Sequence, residues 1–313
     1  MRFLRSTLVS DVTPAADGTY SYDLPVNPLS HLILTIKCLN LSADTKATVA
    51  QIMGALENIT VEYRGQAIIS MNGADLYALN TILYGKEPPQ VNVTNLENST
   101  RAISLRVPFG RNTFNPAECM FATNRGELKL KVQVDIADTG YDGVIFQFET
   151  VELVEASPAQ YLKVTTLTDT PAATGDMDED LPIGNVLAGI LLWATTIPTG
   201  TAWTATIDAI RLLVNNSEYG YASALWESLQ GDLIHSGATV AYDNHIHTDP
   251  AAGDTGIAEQ DDGNLSNYAL MDYGIKIGNE FLLDTADKSR VHLKITAGDT
   301  NPFRVLPLEL VKI

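Results

Sequence analysis

The chain has 313 residues and carries 20 Lys and Arg against 38 Asp and Glu, a formal charge of −18. That balance excludes a protein that grips nucleic acid directly, because phosphate binding needs clustered Lys and Arg. The length suits two domains, each able to bury its own core. Strand formers punctuated by Gly, Pro, Asn, Asp and Thr mark the chain as all-β.

Residues 1–17 are expected to be an N-terminal arm, in which Arg2 and Arg5 are the only charges before Asp11. Met1–Ser10 has no apolar run of signal-peptide length. A first domain is expected over 18–155. In His31–Cys38 the apolar phase is Leu32, Leu34, Ile36 and Cys38, with His31, Thr35 and Lys37 pointing outward. On that phase Cys38 is a buried thiol, and two cysteines, Cys38 and Cys119, make no disulfide framework. Asn58–Tyr63 and Gln66–Ser70 form a hairpin across Arg64-Gly65. Ala74–Leu83 reads as a helix with Leu76, Leu79 and Leu83 on one face. A long loop, Gly85–Thr100, follows it. Glu127–Ile136 is the cleanest alternation, with Leu128, Leu130, Val132, Val134 and Ile136 inward. A one-residue slip would expose five side chains worth about 1.5–3 kcal/mol each, which fixes the register.

Ala156–Glu179, with Ser157-Pro158, Thr170-Pro171 and an acidic run up to Asp180, reads as a linker, and 180–313 as a second domain. The uncharged run Leu181–Ile207 is long enough for a bilayer, but its prolines, glycines and threonines fit a strand plus loop. Ala222–Ile234 is the second helix, with Leu225, Trp226, Leu229 and Leu233 on its apolar face, and a long loop, Ser236–Ser266, comes next. In Arg304–Ile313 the residues Leu306, Leu308 and Leu310 share a phase.

The second domain repeats the first. Asp23-Leu-Pro-Val returns as Asp180-Leu-Pro-Ile, Asn58–Tyr63 as Ala209–Val214, Glu127–Val132 as Arg290–Ile295, and Val151-Glu-Leu-Val154 as Leu308-Glu-Leu-Val311. The order is kept and the offset stays near half the chain, which points to an internal duplication.

Motifs for chemistry are sparse. His245-Ile-His247 lacks the Glu a cupin metal site needs, so a solvated loop is expected. Asp249, Asp254, Asp261 and Asp262 offer hard oxygen ligands suited to Ca²⁺, without EF-hand spacing, which leaves both a cation site and a merely soluble loop open. No Gly-rich phosphate cradle follows a strand, no Gly-x-Ser-x-Gly occurs, and no Cys/His pair suggests a nucleophile. No catalytic centre, metal or cofactor is expected, and the chain is not expected to be an enzyme.

Tandem β domains of this size, a helix and a long loop at matching places in each, and a short arm resemble the double jelly-roll major capsid proteins of tailless icosahedral viruses. This is the lineage of adenovirus, tectiviruses and corticoviruses, and the compact size is most similar to capsid proteins of small membrane-containing bacteriophages. The resemblance implies two eight-stranded jelly-roll sandwiches, each with a short helix. It also implies a homotrimer of near-hexagonal outline that meets neighbouring capsomers and penton or minor capsid proteins in the virion shell, after assembly in the host cytoplasm. The loops after the helices would rise as towers. The arm would face internal membrane lipids, and no direct nucleic-acid contact would be made. Two other readings stay open: a carbohydrate-binding or adhesin-type double β-sandwich, and a glycan hydrolase with convergent carboxylates. A stable trimer in solution would separate the capsid reading from both.

Overall fold

Alternating apolar residues set a nearly all-β chain in the computed structural model, which describes residues 2–40, 48–91, 99–136, 141–198, 204–235, 265–276 and 278–313. The first half runs β1 (Arg2–Val12), β2 (Gly18–Asp23), β3 (Leu29–Asn40), α1 (Val49–Gly54), β4 (Leu56–Tyr63) and β5 (Gln66–Met71). It continues with α2 (Gly73–Tyr84), β6 (Gln90–Val91), β7 (Thr100–Pro108), β8 (Leu128–Val134) and β9 (Tyr141–Val154). The second half begins with β10 (Gln160–Thr165), β11 (Leu167–Asp169), β12 (Gly175–Asp180), β13 (Val186–Ala194), β14 (Ile207–Val214), β15 (Ser217–Glu218) and β16 (Ala224–Leu225). It ends with α3 (Trp226–His235), β17 (Tyr268–Asp272), β18 (Leu283–Asp284), β19 (Val291–Ala297) and β20 (Phe303–Lys312).

Each half is a sandwich of two four-stranded layers with one topology. In the first, β1-β9-β3-β7 faces β5-β4-β8-β2; in the second, β10-β20-β13-β17 faces β12-β19-β14-β15. The match holds to single bonds. Leu24 N–H donates to Leu128 O at 3.0 Å, and Leu181 N–H to Val291 O at 2.9 Å. Asn27 Nδ2 donates to Glu152 and Asn185 Nδ2 to Glu309, both at 2.7 Å. The Asp-Leu-Pro echo thus ends the second strand of each sandwich and hands the chain to a side-chain bond onto the last. The first hairpin turns through Arg64 (φ 51°) and Gly65 (φ 81°), its counterpart through Asn215 (φ 52°) and Asn216 (φ 63°). Two left-handed residues give the twist a two-residue hairpin needs, and Asn tolerates that region better than most side chains.

Residues 2–12, expected as an arm, form β1, hydrogen-bonded along β9 from Arg2↔Val154 onward. Its sequence hides this because an edge strand half exposed on both faces carries little alternation. Residues 156–179, expected as a linker, hold β10, β11 and most of β12. β10 and β11 run antiparallel to β20 as β1 does to β9. In the acidic run, Asp176, Asp178 and Asp180 form the outward phase against Met177 and the half-buried Glu179. β19 and its approach neutralise those acids: Lys294 lies 3.3 Å from Asp176, and Arg290 lies 3.3 Å from Asp178 and 2.6 Å from Asp180.

Leu128, Leu130, Val132 and Val134 are buried as expected, and Ile136 is partly buried against the same core. α2 spans the expected helix, but it is buried on nearly every side rather than on one stripe. α3 starts later than expected, so Leu225 lies on β16 and is 58% exposed, while Trp226, Leu229 and Leu233 are buried. The long uncharged run contains β13, which is covered on both faces and so lacks the alternation of a half-solvated strand. Leu306, Leu308 and Leu310 do share a phase, but that phase packs into the core that spans the two halves, while Phe303 and Val305 fill the second sandwich. No helix among the described residues is long and apolar enough to cross a membrane.

Candidate functional site: the seam and the open sheet edges

A parallel contact joins the two sandwiches. β10 lies beside β5 with Val164↔Ile69 and Thr165↔Ser70, so one layer of each sandwich fuses into a single sheet, β17-β13-β20-β10-β5-β4-β8-β2. Val164 and Ile69 are fully buried there.

Two buried polar clusters lock this seam. In the first turn of α2, Asp75 has no exposed side-chain surface and takes Arg304 Nη2 from β20 at 2.8 Å. Arg304 Nε lies 3.2 Å from each carboxylate oxygen, and Tyr268 donates its hydroxyl to Asp75 at 2.7 Å. The Arg304 guanidinium also stacks 3.7 Å above the Trp193 ring. Burial and the adjoining Asp75 carboxylate hold the Tyr268 hydroxyl well above its usual range. In the second cluster Arg111 grips Glu118 (Nη2–Oε2 2.9 Å) and reaches the other half through Gly278 O at 3.1 Å and Asn279 Oδ1 at 2.7 Å. Burial raises the Glu118 carboxyl, but the hydrogen bonds and charge of Arg111 outweigh it, and its pKa is lowered. Sequence reading missed both clusters, whose members lie up to 229 residues apart.

The residues weighed for chemistry do not converge. His245, His247, Asp249, Asp254, Asp261 and Asp262 lie outside the described residues. Among the described residues no group of three or more His, Cys, Asp or Glu is placed to hold a metal ion. His235 is exposed at the end of α3, and the buried His292 faces Asp178 at 3.8 Å, a carboxylate that is 43% exposed. Cys38 and Cys119 are buried and not in disulfides.

His31, expected to point outward, is buried: it accepts or donates at 2.9 Å with Ser30 Oγ, and the Phe114 ring meets it edge-on at 5.5 Å. Burial, with Arg106 and Arg5 nearby, lowers its pKa to about 4. The folded state therefore prefers neutral imidazole. The stabilisation is complete above the ordinary 6.5 and is lost as pH falls toward 4, up to roughly 3 kcal/mol. Urea titrations at pH 7.5 and 4.5 should show a smaller acid loss in His31→Gln than in the parent chain. An equal loss in both would assign the acid sensitivity elsewhere.

Apolar side chains remain exposed at two sheet edges. Phe3 (63%) and Leu4 stand on β1, where nothing pairs the outer edge among the described residues, and the Phe114 ring is edge-on to Phe3. At the other edge, Tyr219 stands just after β15, Leu225 on β16 and Phe281 (70%) on the loop before β18. Tyr221, Tyr273 and Phe281 line a surface cleft there, with Glu280 and Asp272.

This double jelly roll is the fold of viral major capsid proteins. The STIV (Sulfolobus turreted icosahedral virus) major capsid protein superposes with TM-score 0.68 at 12% identity, over 100% of this chain and 97% of that one. The major capsid protein of bacteriophage PM2 gives 0.66 at 13%, covering 100% and 98%. A chain of the PBCV-1 virus capsid gives 0.62 at 8%, covering 99% and 94%. No protein-family model matches the sequence, and no curated protein matches it. At these identities the likeness is one of fold.

Proposed function

We propose that this chain is a major capsid protein, the repeating unit of an icosahedral virion shell. The observation that carries the reading is the end-to-end match, in which both sandwiches and their seam superpose on capsid proteins of nearly the same length. In this reading three copies close into a trimer of near six-fold outline, and closed symmetry prevents runaway fibres. Its partners are neighbouring capsomers and penton or minor capsid proteins. The chain has no catalytic role, and no nucleic-acid contact is made by a surface of charge −18. A shell over an internal membrane fits the acidic balance of 20 Lys and Arg against 38 Asp and Glu, which suits a surface kept apart from packed genome. Contact with those lipids through residues 1–17 has less support, because β1 is tied into the sheet and Arg5 is paired with Glu149.

Light scattering on purified protein at micromolar concentration is the test. The expected mass is three times 33.9 kDa. A mass of one chain, unchanged by salt or Ca²⁺, would defeat the capsid reading and favour the carbohydrate-binding or adhesin-type module.

A further inference from the structure

We infer that β2 pairs with β2 of a copy in another trimer, antiparallel across a two-fold axis, and that this contact joins one capsomer to the next. The inference rests on the capsid reading and names a surface by which trimers meet. A self-complementary two-fold contact cannot close a ring of three, so its place is between trimers and not within one.

The two sandwiches treat a pair of sister edges differently. Among the described residues β2, the end strand of the long shared sheet, pairs only with β8, and its sister β12 pairs only with β19. Natural sheets blunt such open edges with charge, proline or a bulge, because unpaired N–H and C=O groups recruit other strands. β12 is blunted: Asp176, Asp178 and Asp180 are exposed, and Glu179 lies on the inward phase. Paired with itself about Asp178, it would set Asp178 against Asp178 and Asp176 against Asp180, like charges directly opposed. β2 has none of these guards. Its residues Gly18-Thr-Tyr-Ser-Tyr-Asp23 include one charge and no proline, and its register with β8 runs without a bulge. In a chain of charge −18 so neutral an edge stands out.

The sequence of β2 is also complementary to itself, which is why the occupant is a second copy. Residues directly opposite each other in a sheet point to the same face. A two-fold pairing centred on Ser21 therefore sets Ser21 against Ser21, Tyr20 against Tyr22 and Thr19 against Asp23. A centre at Tyr20 would instead bring Asp23 opposite Asp17. On the core-side face, Tyr20 and Tyr22 are half-buried against Phe146 and Phe148, with ring centroids 5.7 and 6.1 Å apart. The pairing gives each of these rings a tyrosine of the other copy as a cross-strand neighbour. On the solvent face, Thr19, Ser21 and Asp23 lie beside Gln133, Lys131 and Lys129 of β8. Joining two copies then puts Asp23 between its own Lys129 and Thr19 of the other copy, and two serines separate the Lys131 side chains. No like charges are directly opposed, so the join adds no local repulsion to two acidic chains. The strand is short, which makes a single contact weak and suits a shell in which each trimer makes it three times.

The test uses cysteines placed on the exposed face of β2, since the native Cys38 and Cys119 are buried. Circular dichroism and thermal melting check that each variant folds. Under mild oxidation of concentrated protein, Ser21→Cys should give disulfide-linked pairs of chains, because Ser21 alone on that face meets its own copy. Thr19→Cys should stay unlinked by itself and link when combined with Asp23→Cys. In light scattering, the parent should associate beyond the trimer as concentration rises. Ser21→Lys, a charge at the centre of the contact, should abolish that step and leave the trimer mass unchanged. No linkage of Ser21→Cys would overturn the pairing, and so would equal linkage of Ser21→Cys and Thr19→Cys, the mark of random collision. Linkage of Ser21→Cys only to Asp178→Cys chains would assign the edge to β12 and overturn the self-pairing. A parent trimer without the Ser21 link leaves the capsid reading standing. A monomeric parent whose Ser21→Cys chains still link would defeat the capsid reading and keep the β2 contact.

Discussion

Arg304→Ala is expected to destabilise the folded chain by about 3–5 kcal/mol, because it leaves a fully buried carboxylate without its counter-charge. Asp75 has no exposed side-chain surface, and Arg304 supplies three of its contacts between 2.8 and 3.2 Å. The Tyr268 hydroxyl and Thr166 Oγ1, at 2.7 and 3.3 Å, remain as donors but carry no charge. The loss falls on the seam, since Asp75 belongs to α2 of the first sandwich and Arg304 to β20 of the second. Arg304→Lys should recover only part of it, because an ammonium can neither fork across two oxygens nor stack as a plane on Trp193. Combining Asp75→Asn with Arg304→Ala should cost less than the sum of the single changes, as expected for partners in contact. Urea unfolding of the parent chain and the four variants measures this. A loss under 1 kcal/mol in Arg304→Ala would mean that apolar packing alone holds the halves together.

Trp226→Ala should cost a similar amount, about 3–5 kcal/mol, through a cavity in the second sandwich. The side chain is fully buried at the start of α3, within the cluster formed by β13, β14, β17 and β19. Its indole Nε1 has no hydrogen-bond partner among the described residues, so Trp226→Phe removes volume without breaking a described bond and should cost less than half as much. Thermal melting with urea titration checks both. Near-equal losses for the two substitutions would show that the indole nitrogen is satisfied in solution.

Much of the architecture was legible in the sequence. Each β8 residue from Leu128 to Val134 falls on the face its alternation assigned, because one face meets core and the other water. The Arg64-Gly65 hairpin and α2 were legible too, since turn chemistry and helical spacing are local. The duplicated order came through because Asp-Leu-Pro, Glu-Leu-Val and two further strands recur at nearly constant offset. Strands whose surroundings break the period-two rule were hidden. β1 is half exposed on both faces, β12 is a row of acids made tolerable by the cations of Arg290, Lys294 and Arg211, and β13 is buried on both faces.

What the sequence by itself determined is an acidic, all-β chain of two similar halves, since composition and local periodicity survive without knowledge of neighbours. What only the tertiary structure decided is how the halves meet. His31 is buried because Phe114 packs on it, and Leu306, Leu308 and Leu310 serve the shared core because β10 lies beside β5. Asp75 finds Arg304 across 229 residues. Such contacts leave no periodic trace, because a charged or apolar side chain looks the same in sequence whether water, its own sandwich or the neighbouring one lies across from it.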